Sequence, residues 1–256
     1  MTPIIIFVVS AGFVVLASSQ MAKYSDVIAI RTGLGRLFIG TVLLAAATSL
    51  PEITANLASI LQGVPDLAAG NLLGSCNFNM LIIALIDIFN QRAHVLRRIA
   101  MTHTLTASLS ITLLALSALF ILARLNIGIG WLGLDSMILF GVFLGGLYIV
   151  RQQGRRSGTA IEAGVEEAPM SLAGAGAGFL LSSAVLWVAV TYLVRSSETL
   201  AQMTGLGTAF FGASVFALIT SLPEVVATFS AVKMGAYDLA VGNLFGSNMF
   251  NVMALS

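Results

Sequence analysis

Apolar residues fill most of the chain in long blocks that short polar stretches separate. A membrane-spanning helix needs about 17–25 mainly apolar residues, and eight blocks reach that length. We predict helices 1 to 8 at roughly 3–22, 37–61, 66–89, 101–123, 127–150, 172–194, 207–232 and 238–256. The first block lacks the basic start of a signal peptide, so it is predicted to be a helix of the folded protein.

The composition favours the same class of protein. Hydrophobic residues make up 58% of the chain and charged residues 9%, with a mean hydropathy of +0.99, whereas soluble domains carry about 25% charged residues. We therefore predict an all-α polytopic membrane protein. We also predict that it is not an enzyme and needs no cofactor. The net charge of +1 gives no indication of a nucleic-acid partner. Cys76 is the single cysteine, which excludes an intrachain disulfide.

The basic residues predict the orientation of the chain. If the N-terminus lies outside, 10 of the 12 basic residues fall on the inner side, and only Arg124 and Arg195 lie outside. Cytoplasmic loops carry the excess of Lys and Arg. An outside N-terminus is therefore expected.

The sequence repeats itself at an offset of 172 residues. Between 25–79 and 197–251, 26 of 55 positions are identical, including TSLPE at 48–52 and 220–224. The period holds five helices, an odd number, so the second copy must cross the membrane in the opposite sense. We predict a first repeat at 1–150, a cytoplasmic linker at 151–171 and a second repeat at 172–256. Counterparts of helices 4 and 5 are missing from the second repeat, and ten helices would complete the pattern.

Both TSLPE copies place a glutamate and a proline at membrane depth. A charge at the centre of a span costs at least about 2.5–3.5 kcal/mol, so Glu52 and Glu224 are candidates for function. No Lys or Arg lies in the core of either helix, and the carboxyl groups must therefore be protonated or face a cation. Pro51 and Pro223 each free backbone carbonyls in the preceding turn, which are further ligands for a cation.

Other polar residues share helical faces with these glutamates. On helices 2 and 7 the spacing of four residues aligns Thr48, Glu52 and Asn56, and likewise Thr220, Glu224 and Thr228. On helices 3 and 8 it aligns Asn71, Ser75 and Asn79, and likewise Asn243, Ser247 and Asn251. Some of these residues, Asn71 and Asn243 above all, are expected to form hydrogen bonds between helices.

An all-oxygen set suits a hard cation such as Ca²⁺, which takes six to eight oxygen ligands, and two carboxylates balance its charge. Hydroxyl and carbonyl oxygens suit Na⁺. The residues favour an antiporter and leave Na⁺/Ca²⁺ and H⁺/Ca²⁺ exchange open. A channel would draw its selectivity from a ring or filter, and an inverted repeat within one chain disfavours it.

At these residues the chain resembles the sodium/calcium exchanger superfamily. The signature of that superfamily is G-T-S-L-P-E followed by G-N-x-x-G-S-N-x-x-N, and here the two copies read ATSLPE…GNLLGSCNFN and ITSLPE…GNLFGSNMFN. The match covers about 23–83 and 195–256. It implies Na⁺/Ca²⁺ exchange by alternating access, with helices 1 and 6 sliding across the core. The short central linker is similar to that of prokaryotic members, so a monomer in a bacterial or archaeal plasma membrane is expected.

The resemblance also implies a ligand set at the interface of the repeats. Glu52 and Glu224 would bind Ca²⁺ and touch Na⁺, with Asn79 and Asn251 flanking the central site. Hydroxyls or carbonyls of six further residues would complete it, namely Thr48, Ser49, Ser75, Thr220, Ser221 and Ser247. Carbonyls of Ala45 and Ala217 would serve outlying Na⁺ sites. The chain departs from the signature at Ala47 and Ile219, which replace glycine, and at Cys76, which replaces asparagine.

Four further polar residues are expected outside the site. Asp66 and Asp238 precede helices 3 and 8 and are predicted to cap them. His103 is predicted to lie at the membrane interface. Asp135 is predicted to lie deeper in helix 5.

Overall fold

The computed structural model describes residues 2–61, 63, 65–89, 95–123, 128–129, 132–161, 170–204 and 217–255. It consists almost entirely of helices. They are α1 Thr2–Thr32, α2 Arg36–Leu61, α3 Pro65–Phe89, α4 Val95–Ala123, α5 Leu134–Ile161, α6 Leu172–Thr204, α7 Leu222–Lys233 and α8 Tyr237–Leu255. A π-helical turn, Gly40–Leu44, interrupts α2, and a helical turn, Ala217–Thr220, precedes α7.

The eight helices fall in the eight predicted blocks, which confirms the all-α membrane fold. Among the described residues, α1 to α6 each contain a segment long and apolar enough to cross a bilayer. The last two helices differ in character: α7 spans 12 residues, and α8 carries several buried amide and hydroxyl side chains. The predicted start of helix 7 at 207 lies outside the described residues.

The end of α1 lies beyond the predicted residue 22. The helix continues to Thr32, so its 31 residues measure about 46 Å, longer than the roughly 30 Å hydrocarbon core. The prediction ended the helix at the first polar residues, such as Lys23, but a helix can continue through polar residues once it has left the membrane. The helix ends at Gly33, where φ is +64°, a conformation that glycine adopts without steric cost.

Helix α5 begins later and ends later than predicted. Two short antiparallel strands, β1 Gly128–Ile129 and β2 Leu132–Gly133, occupy the predicted start of the helix. The prediction for Asp135 is therefore wrong, because this residue lies in the first turn of α5, where its Oδ1 accepts a hydrogen bond from the Ser136 N–H at 2.9 Å. At its other end α5 continues to Ile161, into the segment predicted as linker.

Glycines bring α2 and α8 into backbone contact. A Cβ built on Gly242 would lie 2.9 Å from the carbonyl oxygen of Leu37, and one on Gly40 would lie 2.5 Å from that of Leu239. A Cβ on Gly246 would overlap the carbonyl oxygen of Thr41. Small residues at a spacing of four allow this approach. It sets the polar face of α8 directly against α2.

Candidate ion-binding site

The two glutamates lie at the centre of the molecule, on α2 and α7. Glu52 and Glu224 are both 0% exposed, and α3 and α8 pack beside them. The two carboxyl groups are close enough to interact with each other. Burial of two such groups without a basic partner is costly, so their surroundings must supply hydrogen bonds or a cation.

Each glutamate accepts a hydrogen bond from a serine of the opposite copy. Ser49 Oγ donates to Glu224 Oε1 at 3.0 Å, and Ser221 Oγ donates to Glu52 Oε1 at 2.7 Å. A shift of 172 residues converts one bond into the other. The two TSLPE copies therefore contact each other through two equivalent hydrogen bonds, each from a serine to a glutamate.

A second pair of contacts joins serines across the same interface. Ser49 Oγ lies 2.8 Å from Ser247 Oγ, and Ser75 Oγ lies 2.7 Å from Ser221 Oγ. Ser75 also donates to Glu52 Oε1. The four hydroxyls thus line up beside the two carboxyl groups, two from each copy.

Asn71 and Asn243, the first polar residues on the shared faces of α3 and α8, link helices, as expected. Asn71 Nδ2 donates to Asn56 Oδ1 at 2.7 Å, and Asn71 Oδ1 accepts from Thr220 Oγ1 at 3.3 Å. The second copy repeats the pattern, with Thr48 donating to Asn243 Oδ1 at 3.3 Å and Asn243 Nδ2 donating to Thr228 at 3.2 Å. The prediction that these two asparagines form hydrogen bonds between helices is confirmed.

Among the predicted ligand residues, four side-chain oxygens lack hydrogen-bond partners within the described part of the chain. They are Glu52 Oε2, Glu224 Oε2, Asn79 Oδ1 and Asn251 Oδ1. All four residues are 0% exposed, and a buried oxygen without a partner loses the hydrogen bonds it had in water. Two of the oxygens come from each copy. Such a set is complementary to a cation.

The remaining ligands of the site must be hydroxyl, amide or carbonyl oxygens. The described residues contain no group of three or more His, Cys, Asp or Glu side chains arranged for a metal ion. Ala45 O accepts from Thr48 Oγ1 at 3.3 Å, and Ala217 O accepts from Thr220 Oγ1 at 3.2 Å. Ala217 O also accepts the N–H of Ser221 at 3.0 Å, which uses both lone pairs of a carbonyl oxygen, so a cation there would replace one of these donors.

The backbone around the two prolines differs between the copies. Helix α2 runs through Pro51 without a break. In the second copy the helix stops at Thr220 and restarts at Leu222, which places Pro223 in a first turn, where proline is tolerated. Ser221, at the break, has φ −84° and ψ 1°. The helix is therefore interrupted beside the proline in the second copy and not in the first.

Two residues outside the predicted set are part of the polar network. Asn248 Oδ1 accepts from Asn79 Nδ2 at 2.9 Å. The sequence feature that could have identified Asn248 is its difference from Cys76, the equivalent residue of the first copy. His103 is 2% exposed and lies 3.1 Å from Asp238 Oδ1. It is the first residue of the apolar segment His103–Ala123 of α4, and its position at the membrane interface stays a prediction. Asp238 lies in the first turn of α8, and the side chain of Asp66 lies outside the described residues.

The fold and the polar cluster define a class of protein: a polytopic membrane protein built on an inverted repeat, with buried polar groups of the two copies in contact. The family model described as "Sodium/calcium exchanger protein" matches residues 2–151 and 174–255. The chain belongs to this family, which consists of transporters and not of enzymes.

Curated relatives match nearly the whole chain. It is 30% identical to the inner membrane protein YrbG of Escherichia coli, over 97% of this chain and 76% of the relative. It is 29% identical to the putative antiporter CaxA of Alkalimonas amylolytica, over 98% of this chain and 76% of the relative. The chain thus spans about three quarters of the length of these two proteins.

Solved structures of the sodium-calcium exchanger NCX_Mj share the fold. One, soaked with 2.5 mM Na⁺ and 0.1 mM Sr²⁺, matches with a TM-score of 0.75 and 20% identity. The match covers 99% of this chain and 81% of that chain. This agreement extends over all the described helices.

Proposed function

We propose that this protein is a secondary transporter that exchanges Na⁺ for Ca²⁺ by alternating access. The observation that carries the proposal is the set of four buried oxygens without partners among the described residues, two carboxylate and two amide, contributed equally by the two copies. Family membership supports the same class of transport. So do the names of two relatives, a putative antiporter and a sodium/calcium exchanger of Methanosarcina acetivorans that matches 30% of this chain.

Charge and ligand type support Ca²⁺ as one substrate. Glu52 and Glu224 supply two negative charges, which balance one Ca²⁺ or two Na⁺. Asn79 and Asn251 add neutral oxygens on either side, and the hydroxyl groups that now bond the carboxylates can turn to the ion. The six residues that provide these hydroxyls or carbonyls are Thr48, Ser49, Ser75, Thr220, Ser221 and Ser247. Competition of Na⁺ and Ca²⁺ for the same two carboxylates couples their transport.

The carbonyls of Ala45 and Ala217 lie one helical turn before the threonines of the site and are assigned to outlying Na⁺ positions. Each accepts one threonine hydroxyl, and Ala217 O accepts the Ser221 N–H as well. Neutral carbonyl and hydroxyl oxygens are hard ligands that suit a cation such as Na⁺.

Helices α1 and α6 are the moving elements in this proposal. They pack along one another, and α1 also packs against α7. One apolar cluster contains residues of both helices and of α7, among them Met21, Leu186, Ala227 and Ala231. Apolar surfaces can slide past one another, so the pair can uncover the site on one side and then on the other. Two polar contacts also join α1 to the core, Ser230 Oγ to Ser19 Oγ at 3.0 Å and Arg36 with Asp26, and both must exchange partners during that movement.

The proposal includes the placement of the chain in its membrane. The N-terminus lies outside, the repeats are 1–150 and 172–256, and 151–171 joins them on the inner side. The protein acts as a monomer in a bacterial or archaeal plasma membrane, and the name of the Escherichia coli relative, an inner membrane protein, supports this location.

Ion flux into proteoliposomes tests the proposal. Uptake of ⁴⁵Ca²⁺ by the purified full chain should require an outward-directed Na⁺ gradient, and Glu52→Gln and Glu224→Gln should each abolish it. Glu166→Gln, the same change in the linker, should leave uptake intact. Uptake driven by a pH gradient without Na⁺ would select H⁺/Ca²⁺ exchange instead. Normal uptake in both glutamine variants would disprove the site.

A further inference from the structure

One position next to the site differs between the two copies. Residue 76 on α3 is a cysteine, and its equivalent on α8, 172 residues later, is Asn248. Both side chains are buried, with exposures of 4% and 1%. The serine, threonine, glutamate and asparagine ligands predicted above are the same in both copies. Asn56 and its equivalent Thr228 also differ, but they bond Asn71 and Asn243, whereas Asn248 bonds the predicted ligand Asn79.

Asn248 holds the amide group of Asn79. Asn79 Nδ2 donates to Asn248 Oδ1 at 2.9 Å and to Ser247 Oγ at 3.2 Å. An asparagine amide has two N–H donors, and both are thereby directed to acceptors on α8. The carbonyl end of the same amide, Asn79 Oδ1, is left pointing away from these acceptors and has no partner among the described residues.

In the other half of the site, the amide of Asn251 is restrained by fewer hydrogen bonds than that of Asn79. Its Nδ2 donates to Ser75 Oγ at 3.3 Å, the counterpart of the bond from Asn79 to Ser247. The counterpart of the second bond would need an acceptor at position 76. A cysteine thiol accepts hydrogen bonds only weakly, and within the described residues Asn251 Nδ2 donates to Ser75 Oγ and to no second acceptor.

We propose that Asn248 is a positioning residue that fixes the ion ligand Asn79, and that Cys76 leaves the equivalent ligand Asn251 less restrained. The pair thereby sets the affinity of the site for the divalent cation. A ligand held in its binding orientation loses less freedom when the ion arrives, so it binds more tightly. This inference rests on the proposed function, because it takes the two asparagines as cation ligands.

Equilibrium binding of ⁴⁵Ca²⁺ to the purified full chain in Na⁺-free detergent solution measures the effect. Asn248→Cys removes the acceptor and should raise the Kd for Ca²⁺ about twofold to tenfold, the range that one neutral hydrogen bond supplies. Cys76→Asn adds an acceptor and should lower the Kd by a similar factor. The double variant exchanges the two residues and should return the Kd close to that of the wild type.

Alanine variants show whether Asn248 acts by positioning Asn79 or only by filling space in the core. Asn248→Ala should raise the Kd as much as Asn248→Cys, and Cys76→Ala should leave it unchanged. A melting temperature that falls in Asn248→Cys while the Kd stays constant would overturn the inference, since the residue would then be structural only. If the wild type binds Ca²⁺ and Glu52→Gln does not, the proposed function stands whatever these variants show.

A second measurement does not depend on the cation. The chain has nine asparagines, so ¹⁵N-asparagine labelling gives a small set of side-chain NH₂ signals. Rotation of the Asn79 amide should be slower than that of Asn251 in the wild type, and Asn248→Cys should remove the difference. Equal rotation in the wild type would overturn the inference even if no Ca²⁺ bound.

Discussion

Replacement of Gly246 by alanine tests the close packing of α2 against α8. Gly246 is buried on the face of α8 that meets α2. A Cβ at this position would overlap the backbone oxygen of Thr41 and lie 2.6 Å from Ala45 Cβ. The oxygen belongs to a helix and cannot move alone, so the two helices must separate.

The expected cost follows from these contacts. Added methylene groups in a packed core cost about 1–3 kcal/mol, and overlap with backbone places Gly246→Ala at about the upper end of that range. Alanine recovers about 1 kcal/mol of helix propensity. The net loss of about 2 kcal/mol corresponds to a fall in Tm of about 4–8 °C for a chain of this size.

Gly141→Ala is the matched control. Gly141 lies within α5, and a Cβ there would meet no atom within 4 Å, so the variant should melt at or above the wild-type temperature. A thiol-reactive fluorogenic dye can follow unfolding, because the chain has one cysteine, Cys76, and it is buried. If Gly246→Ala melts no lower than Gly141→Ala, the close approach of α2 and α8 does not hold.

Four further variants use the same dye assay. Ser221→Ala and Ser49→Ala each remove a hydroxyl that donates to a buried carboxyl group; Glu52 keeps the hydroxyl of Ser75 in the first variant, so Ser49→Ala should lower Tm more, and a larger loss in Ser221→Ala would contradict the assigned contacts. Asn71→Ala removes two buried hydrogen bonds between helices and should cost more than about 1 kcal/mol; an unchanged Tm would contradict this. Asp26→Asn weakens the partly exposed ion pair with Arg36 and should change stability by less than about 1 kcal/mol; a larger loss would show that the pair matters more than its exposure indicates.

The repeat made the centre of the site predictable. A glutamate in the middle of an apolar helix is costly wherever it lies, and the fixed offset to Glu224 showed that Glu52 has an equivalent in an inverted copy. Together with the resemblance, this predicted that both carboxyl groups lie at the interface of the repeats, where each accepts a hydrogen bond from the other copy. The helical spacing similarly identified which polar residues share a face.

The individual partners could not be predicted. Whether Thr48 reaches Asn243 or another acceptor depends on how α2 crosses α8, and that crossing is set by backbone contacts at glycines. The burial of His103 against Asp238 has the same origin, since the face of α4 that meets α8 is decided by packing. Asp135 was misplaced because a short hairpin, with no apolar periodicity to mark it, occupies the start of predicted helix 5.

The crosswise hydrogen bonds couple the two carboxyl groups to the relative position of the repeats. Glu52 accepts from Ser221 and Glu224 accepts from Ser49, so a displacement of one repeat against the other strains both bonds together. In the exchange that we propose, a cation that binds Glu52 Oε2, Glu224 Oε2 and the two asparagine oxygens would draw the copies together. An empty site would lack that attraction and would leave two acidic groups facing each other. The occupancy of the site would then govern how closely the repeats pack, and ion-dependent packing is what an exchanger needs in order to move only when it carries an ion.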